Sequence, residues 1–200
     1  MTHNVHLERD SADPRVQRTH QAILDALIEL TIEKGFANVT VRDITQRARI
    51  NRATFYRHYQ DKFDLLERYY QAVYDLLDAP EAASPVVGEG GFDQAPEGLT
   101  KMLEHIRANA TFYRVMLGKN GDPAFAENVR AYTAKRLRRS LPDSLLQDRL
   151  TADLCLSYMS SAAVGAVQWW LEHDLPYTPK AFAAISYRMS AANIRSMLEL

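Results

Sequence analysis

The sequence predicts an all-α protein in two parts: a small basic N-terminal unit and a larger, mildly acidic helical remainder. Apolar residues recur at three- and four-residue spacing along most of the chain, and helix-capping residues punctuate those runs. No alternating apolar and polar segment of strand length appears, and no internal repeat. Between Asn38 and Lys62, six Lys or Arg stand against two Asp, a local charge of +4 in a chain whose total is −1. An apolar fraction of 46% over 200 residues is ample for a buried core.

The elements follow in order. Asp13 before Pro14 reads as an N-cap and a first-turn proline. Val16, Ile23, Leu27, Leu30 and Thr31 then recur at helical spacing until Gly35 closes the helix. Thr40 and Asp43 form a Thr-x-x-Asp capping pattern for a short helix over about 41–48, which buries Ile44 and Ala48. A tight turn at Arg49 and Ile50 leads to Asn51, the cap of a third helix reaching Tyr59. Asp61 caps a longer helix carrying Phe63, Leu66, Tyr70, Val73 and Leu77. Residues 79–98 hold four of the eight glycines, three of the eight prolines, four acids and no base, the composition of a flexible loop. Helices resume over about 98–110, 111–117, 123–140, 145–173 and 179–198.

The basic stretch "RARINRATFYRHYQDK" (47–62) asks what a near-neutral chain does with so local a charge. Two short helices joined by a tight turn, the second basic and polar, follow the helix-turn-helix plan for entering the DNA major groove. The third helix offers Arg52, Thr54, Tyr56 and His58 as an outer side, and Ile50, Phe55 and Tyr59 as an inner one. On pattern alone, a solvated basic helix face is the competing reading.

Residues 17–66 resemble the DNA-binding domain of the TetR (tetracycline-repressor-like) family of bacterial transcription regulators. The resemblance runs through "QRTHQAILDALIELTIEKGF", "VTVRDITQRARI", "NRATFYRHY" and "DKFDLL". It implies a disordered tail over 1–13, a three-helix DNA-binding domain over 14–62, and a helical regulatory and dimerisation domain over 63–200 with its loop at 79–98. It further implies that Arg42, Arg52, Ala53 and Thr54 meet base edges or nearby phosphates, and that Thr40, Tyr56, His58 and Lys62 hold phosphates. Lys62 would be assisted by backbone N–H groups at its helix start. The family's usual Gly-Val-Ser turn is Arg49-Ile50-Asn51 here, which asks Arg49 for a left-handed backbone at a cost of about 1 kcal/mol.

The C-terminal part is expected to dimerise through its last two helices. Ser157, Ser160, Ser161, Ala162, Gly165 and Ala166 form a small-residue stripe on one, matched by Ala184, Ile185, Met189 and Ala192 on the other. Monomer core is the alternative use of both stripes. A pocket for a small apolar or aromatic effector is expected from Met102, His105, Ile106, Tyr113, Met116, Tyr158, Trp169 and Trp170, with Phe112, Tyr132 and Met159 as wider candidates.

The function expected is a homodimeric repressor on a palindromic operator in double-stranded DNA, released by a small molecule. The alternatives are an activator or architectural DNA binder with a protein partner, and an enzyme or binding module carrying an incidental basic helix. No phosphate loop, nucleophile elbow or paired-carboxylate motif supports an enzyme. No cofactor is called for. "HNVH" at 3–6 lacks a third ligand for a metal, and Cys155 sits among apolar residues as inert packing, with a redox sensor as its other reading. One cysteine and no signal segment fit the cytoplasm, and the apolar run 154–171 reads as a buried helix rather than a membrane span.

Overall fold

The computed structural model describes residues 13–77, 95–118, 121–139, 141 and 143–198, and every regular element among them is helical. In α1 (Pro14–Lys34) the Asp13 side chain accepts the Arg15 N–H at 2.8 Å, with Pro14 in the first turn. The helix stops at Gly35, whose φ of 76° suits a residue without Cβ and whose N–H donates to the Thr31 carbonyl at 2.9 Å. A single 3-10 turn, Phe36–Asn38, leads to α2 (Val41–Arg47), where Thr40 and Asp43 complete the expected capping box. Arg49 takes the left-handed φ of 54°. Asn51 caps α3 (Arg52–His58) by accepting the Ala53 N–H at 2.9 Å. Asp61 opens α4 (Lys62–Leu77) by accepting the N–H groups of Phe63 and Asp64 at 2.8 and 2.9 Å.

These four helices share one core. Ile23, Leu24 and Leu27 of α1, Ile44 of α2, Phe55 of α3 and Leu65 of α4 are all wholly excluded from solvent. Burying each such side chain stabilises the fold by roughly 1.5–3 kcal/mol. The Tyr59 hydroxyl meets His20 Nδ1 at 2.5 Å, tying the end of α3 to α1. Ala48 lies just past the end of α2 and is only partly buried.

Six further helices follow: α5 (Glu97–Ala108), α6 (Ala110–Leu117), α7 (Pro123–Arg138), α8 (Asp143–Gln147), α9 (Arg149–Glu172) and α10 (Pro179–Leu198). α9 packs on α6, α7 and α8, while α10 packs on α5 and α9. α6 also reaches α1 and so joins the two parts. The expected helix over 145–173 is two helices, because Asp148 interrupts it and caps α9 by accepting the N–H groups of Leu150 and Thr151. The expected loop over 79–98 falls mainly outside the described residues, and its end is the first turn of α5.

At the α9–α10 turn, Asp174 and Leu175 both take a φ of 57° without being glycine. Arg114 of α6 clamps this turn, donating from Nε to the Leu171 carbonyl at 2.8 Å and from Nη2 to Asp174 at 2.9 Å. Trp170 beneath it is fully buried, its ring 4.7 Å from Phe182 and its Nε1 donating to the Tyr177 carbonyl.

By length and composition alone, α9 is apolar enough to cross a membrane, with a mean hydropathy of 1.3. In the fold, one side of α9 packs inward. The other leaves Leu150, Leu154 and Tyr158 at 83, 69 and 60% exposure, so the helix is buried on one side only.

The Arg49 backbone sets one expected outcome. Arg49→Gly relieves the left-handed conformation and should raise unfolding stability by up to about 1 kcal/mol, offset in part by the greater freedom of glycine in the unfolded chain. Urea denaturation of the two proteins reads this directly, and a loss of stability would refute it.

Candidate nucleic-acid interface and C-terminal cavity

The buried side of α3, carried by Phe55 and the adjoining Tyr59, fixes which residues face out. Arg52, Ala53, Tyr56 and Arg57 are exposed, as are Thr40 and Arg42 at the start of α2. Arg52 Nη2 donates to the Tyr56 hydroxyl at 3.3 Å, and its guanidinium lies 5.8 Å from the ring centre, which pre-orients both groups. Thr40 departs from the phosphate role expected of it: its Oγ1 and its N–H both donate to the Asp43 carboxylate, at 2.6 and 2.9 Å, and its oxygen accepts the Asp43 N–H at 3.2 Å, so its donors are engaged in the capping box.

Two residues depart from the expected outer side. Thr54 is half-buried, and so is His58, whose ring stands edge-on to buried His20 at 4.5 Å. Helix geometry explains this, since at about 100° per residue positions 54 and 58 turn away from the face shared by 52 and 56. Grouping 52, 54, 56 and 58 followed a strand's alternation. The residue that a helical count adds is Arg57.

Lys62 also differs. Its ammonium donates to three carbonyl oxygens, those of Phe36, Ala37 and Val39, at 2.9, 3.1 and 2.8 Å. It also lies over the Phe36 ring at 4.7 Å. Burial lowers its pKa, with the charges of Asp122 and Asp61 opposing. An ammonium has three hydrogens, and all three are engaged within the fold. The N-terminus of α4, where a phosphate was expected, already holds the Asp61 carboxylate. Lys62 is therefore a brace beneath the helix pair.

Other cations are likewise committed. Arg47 bonds Glu29 and Glu33 at 2.9 and 2.7 Å, and Lys34 bonds Asp43 at 2.8 Å. The Lys34 bond, then those from Thr40, hold Asp43 well below the usual carboxylate range. Arg42, Arg49, Arg52 and Arg57 are exposed and make no ion pair among the described residues. They form a positive surface carried by α2, the turn and α3.

The second feature is a cavity of about 180 Å³ lined by α4, α5, α6, α7, α9 and α10. Of the expected pocket residues, Met102, Ile106 and Tyr113 line it, as does Tyr132 from the wider set. The other five do not. Met116 and Trp170 are core, and His105 instead faces Tyr69, 3.3 Å from its hydroxyl. Tyr158 and Trp169 lie on the outer face of α9, at 60 and 42% exposure. Eleven residues are close to three full helical turns, so these two share one face, opposite the Ala163, Val164 and Val167 that line the cavity.

Sequence reasoning missed Tyr74, Thr133, Arg136, Ser186 and Ser190, which converge on the space from three helices. Tyr74 stacks on Tyr132 at 3.4 Å. Burial pushes the phenols of Tyr74 and Tyr113 well above their ordinary value of 10.0, so both are neutral donors.

Cys155 is buried with its Sγ 3.6 Å from Met159 Sδ, and burial pushes its thiol pKa up, the setting of an unreactive thiol. Among the described residues no cluster of three metal-binding side chains occurs, and "HNVH" lies outside them.

Comparison with known proteins follows the same division. Residues 23–69 match the family described as bacterial regulatory proteins, tetR family, and residues 93–191 match one described as transcriptional regulator C-terminal region. A Bacillus subtilis (strain 168) HTH-type transcriptional regulator, YxbF, is 43% identical over 173 residues, 86% of this chain and 44% of its own length. A second from the same organism, YdeS, is 38% identical over 74 residues, 36% of this chain and 37% of its own. The chain thus spans less than half the length of these relatives. A TetR transcriptional regulator from Streptococcus agalactiae shares the fold with a TM-score of 0.59 at 24% identity, covering 88% of this chain and 95% of that one. The dihydroxyacetone kinase operon activator DhaS does so with a TM-score of 0.59 at 17% identity, covering 89 and 97%.

The brace gives the expected outcome here. Lys62→Met removes a donor from three carbonyls, of which Phe36 keeps the Val39 N–H, and should cost about 2–4 kcal/mol of stability. Thermal denaturation should show a clear drop in Tm, and an unchanged Tm would remove Lys62 from this role.

Proposed function

Because the chain belongs to the TetR family of bacterial transcriptional regulators, we propose that it is a homodimeric repressor. It occupies a palindromic operator in double-stranded DNA and leaves when a small molecule fills the C-terminal cavity. The family is one of regulators rather than enzymes, and a regulator of bacterial genes works in the cytoplasm. The observation that carries the reading is the exposed face of α3, with four arginines on and around it that make no ion pair among the described residues.

On this reading the N-terminal end of α3 enters the major groove. Arg52 and Ala53 meet base edges there, with Arg42 reaching in from α2. Tyr56 and Arg57 take phosphates, Thr54 sits at the rim, and Thr40 caps α2 with both its donors on Asp43. His58 and Lys62 act from beneath by fixing the angle of α3. Neutralising several phosphates releases counterions, so affinity falls steeply with salt.

A palindrome requires two copies. The outer face of α9, with Leu150, Leu154, Tyr158 and Gly165 exposed, and the exposed Met189 and Ala192 of α10 supply an apolar surface for a second chain. The small residues allow close helix approach. The cavity supports a small effector over a protein partner, since its largely apolar walls from six helices suit a compact ligand. An effector releases DNA only by binding the DNA-free arrangement more tightly.

A second reading keeps the same dimer and DNA face but reverses the sign. One protein of similar fold is an operon activator. Deleting the gene raises transcription from its operator if the protein represses and lowers it if it activates.

Gel-shift titration on DNA from its own upstream region tests the DNA reading. Arg52→Ala should relax discrimination between operator and unrelated DNA by about 1–3 kcal/mol, whereas Arg57→Ala should weaken both alike and flatten the salt dependence. An operator preference untouched by Arg52→Ala would place base reading elsewhere. Leu154→Asp should leave a folded monomer in sedimentation and weaken operator binding by about 100-fold or more. A dimer that survives this change would move the interface off α9.

A further inference from the structure

The cavity wall has a chemistry of its own. Arg136 carries the only charge among its described lining residues, and no carboxylate lies in the wall to balance it. Its Nη1 is buried and has no hydrogen-bond acceptor among the described residues. A buried guanidinium nitrogen without an acceptor is costly, because it has lost water and gained nothing in return. Beside it stand Tyr74 and Tyr132, whose flat stack faces the same space. The Tyr74 phenol is kept neutral by burial, so it adds a donor and no negative charge. The rest of the wall is chiefly aliphatic, with Leu99, Met102 and Val167 among it.

A space that is apolar over most of its wall, with one half-buried arginine whose Nη1 is shielded from solvent and the stacked Tyr74 and Tyr132 in the same wall, selects for a particular ligand. We infer that the effector is an amphipathic anion, an apolar body bearing a single carboxylate that pairs with Arg136. A guanidinium fork accepts a carboxylate in its own plane, which an alcohol or amine head does not match. A cationic head would meet Arg136 as a like charge, and a wholly apolar ligand would leave Nη1 as it is. This assignment rests on the effector reading of the cavity and names the class of molecule that fills it.

Two matched pairs of probes separate the possibilities: octanoate against 1-octanol, and phenylacetate against 2-phenylethanol. Each is titrated into the full-length protein by calorimetry at fixed ionic strength, and operator release is followed by gel shift. Each carboxylate should bind about tenfold or more tightly than its alcohol, the effect of one charge-assisted hydrogen bond. Arg136→Gln should abolish that preference while leaving the alcohols unchanged, and Arg136→Lys should restore part of it. Arg138→Gln, an exposed arginine on the same helix, should change nothing. Equal binding of carboxylate and alcohol would overturn the anion assignment and leave the effector cavity standing. A preference that survives Arg136→Gln, or disappears with Arg138→Gln, would overturn the role of Arg136. Absence of binding by all four probes at millimolar concentration would overturn both the anion assignment and the effector reading.

Discussion

Three carbonyl oxygens, from Phe36, Ala37 and Val39, converge on one ammonium group, and the DNA-facing half of the molecule depends on that convergence. The 3-10 turn satisfies its own carbonyls only in part, the Phe36 oxygen accepting the Val39 N–H at 3.1 Å. Lys62, at the first position of α4, supplies all three at once. The consequence is geometric. The end of α1, the start of α2 and the start of α4 are held at one point, and α3 is packed against them through Phe55 and Tyr59. With α3 held on its inner side, its outer side can be polar and still be rigid. On the proposed reading, rigidity of this kind is what lets a helix of seven residues meet DNA, since an isolated helix of that length would not persist in water.

Much of this was legible in the sequence because it is local. Asp13, Thr40 with Asp43, Asn51, Asp61 and Asp122 all cap helices where their residue type and spacing say they should. Arg49 takes the left-handed conformation its place in the turn demands. What failed were questions of direction. Thr54 and His58 were assigned to a face by their chemistry, and helical periodicity turns them the other way. Lys62 has the residue type of a phosphate ligand, yet its partners lie 23 to 26 residues earlier in the chain, a separation that carries no local pattern. The cavity was half found. Met102, Ile106 and Tyr113 line it, but Tyr158 and Trp169 were included for being aromatic on an apolar helix. Ser186, Ser190 and Arg136 carry no pocket signal in the sequence, because only the packing of α7 and α10 turns them to this space. A cavity is what remains when six helices fail to fill a space, and only the packed structure defines it.

α9 shows how one helix serves two surfaces. Its inner residues Ala163, Val164 and Val167 border the cavity, and its outer residues Leu154, Tyr158 and Gly165 form the exposed apolar stripe. A ligand that pushes the inner face displaces the outer face with it, because a helix moves as a rod and not residue by residue. The cavity and the face assigned to the second copy are therefore separated by one helix diameter, about 10 Å. Coupling over that distance needs no chain of intermediates.

The eight residues of α6 occupy a more demanding place than their number suggests. Phe112 packs on Tyr69 and Phe125, Tyr113 and Leu117 border the cavity, and Arg114 holds the α9–α10 turn in its left-handed path. The same helix touches α1 of the DNA-facing unit. Apart from exposed Thr111, most of its residues meet a different neighbour, so few replacements there improve one contact without damaging another. A change at Phe112 would reach α4 and α7 through Tyr69 and Phe125, and one at Arg114 would reach the turn that joins the last two helices, so this short helix is a crossroads where a local change becomes a change in several places.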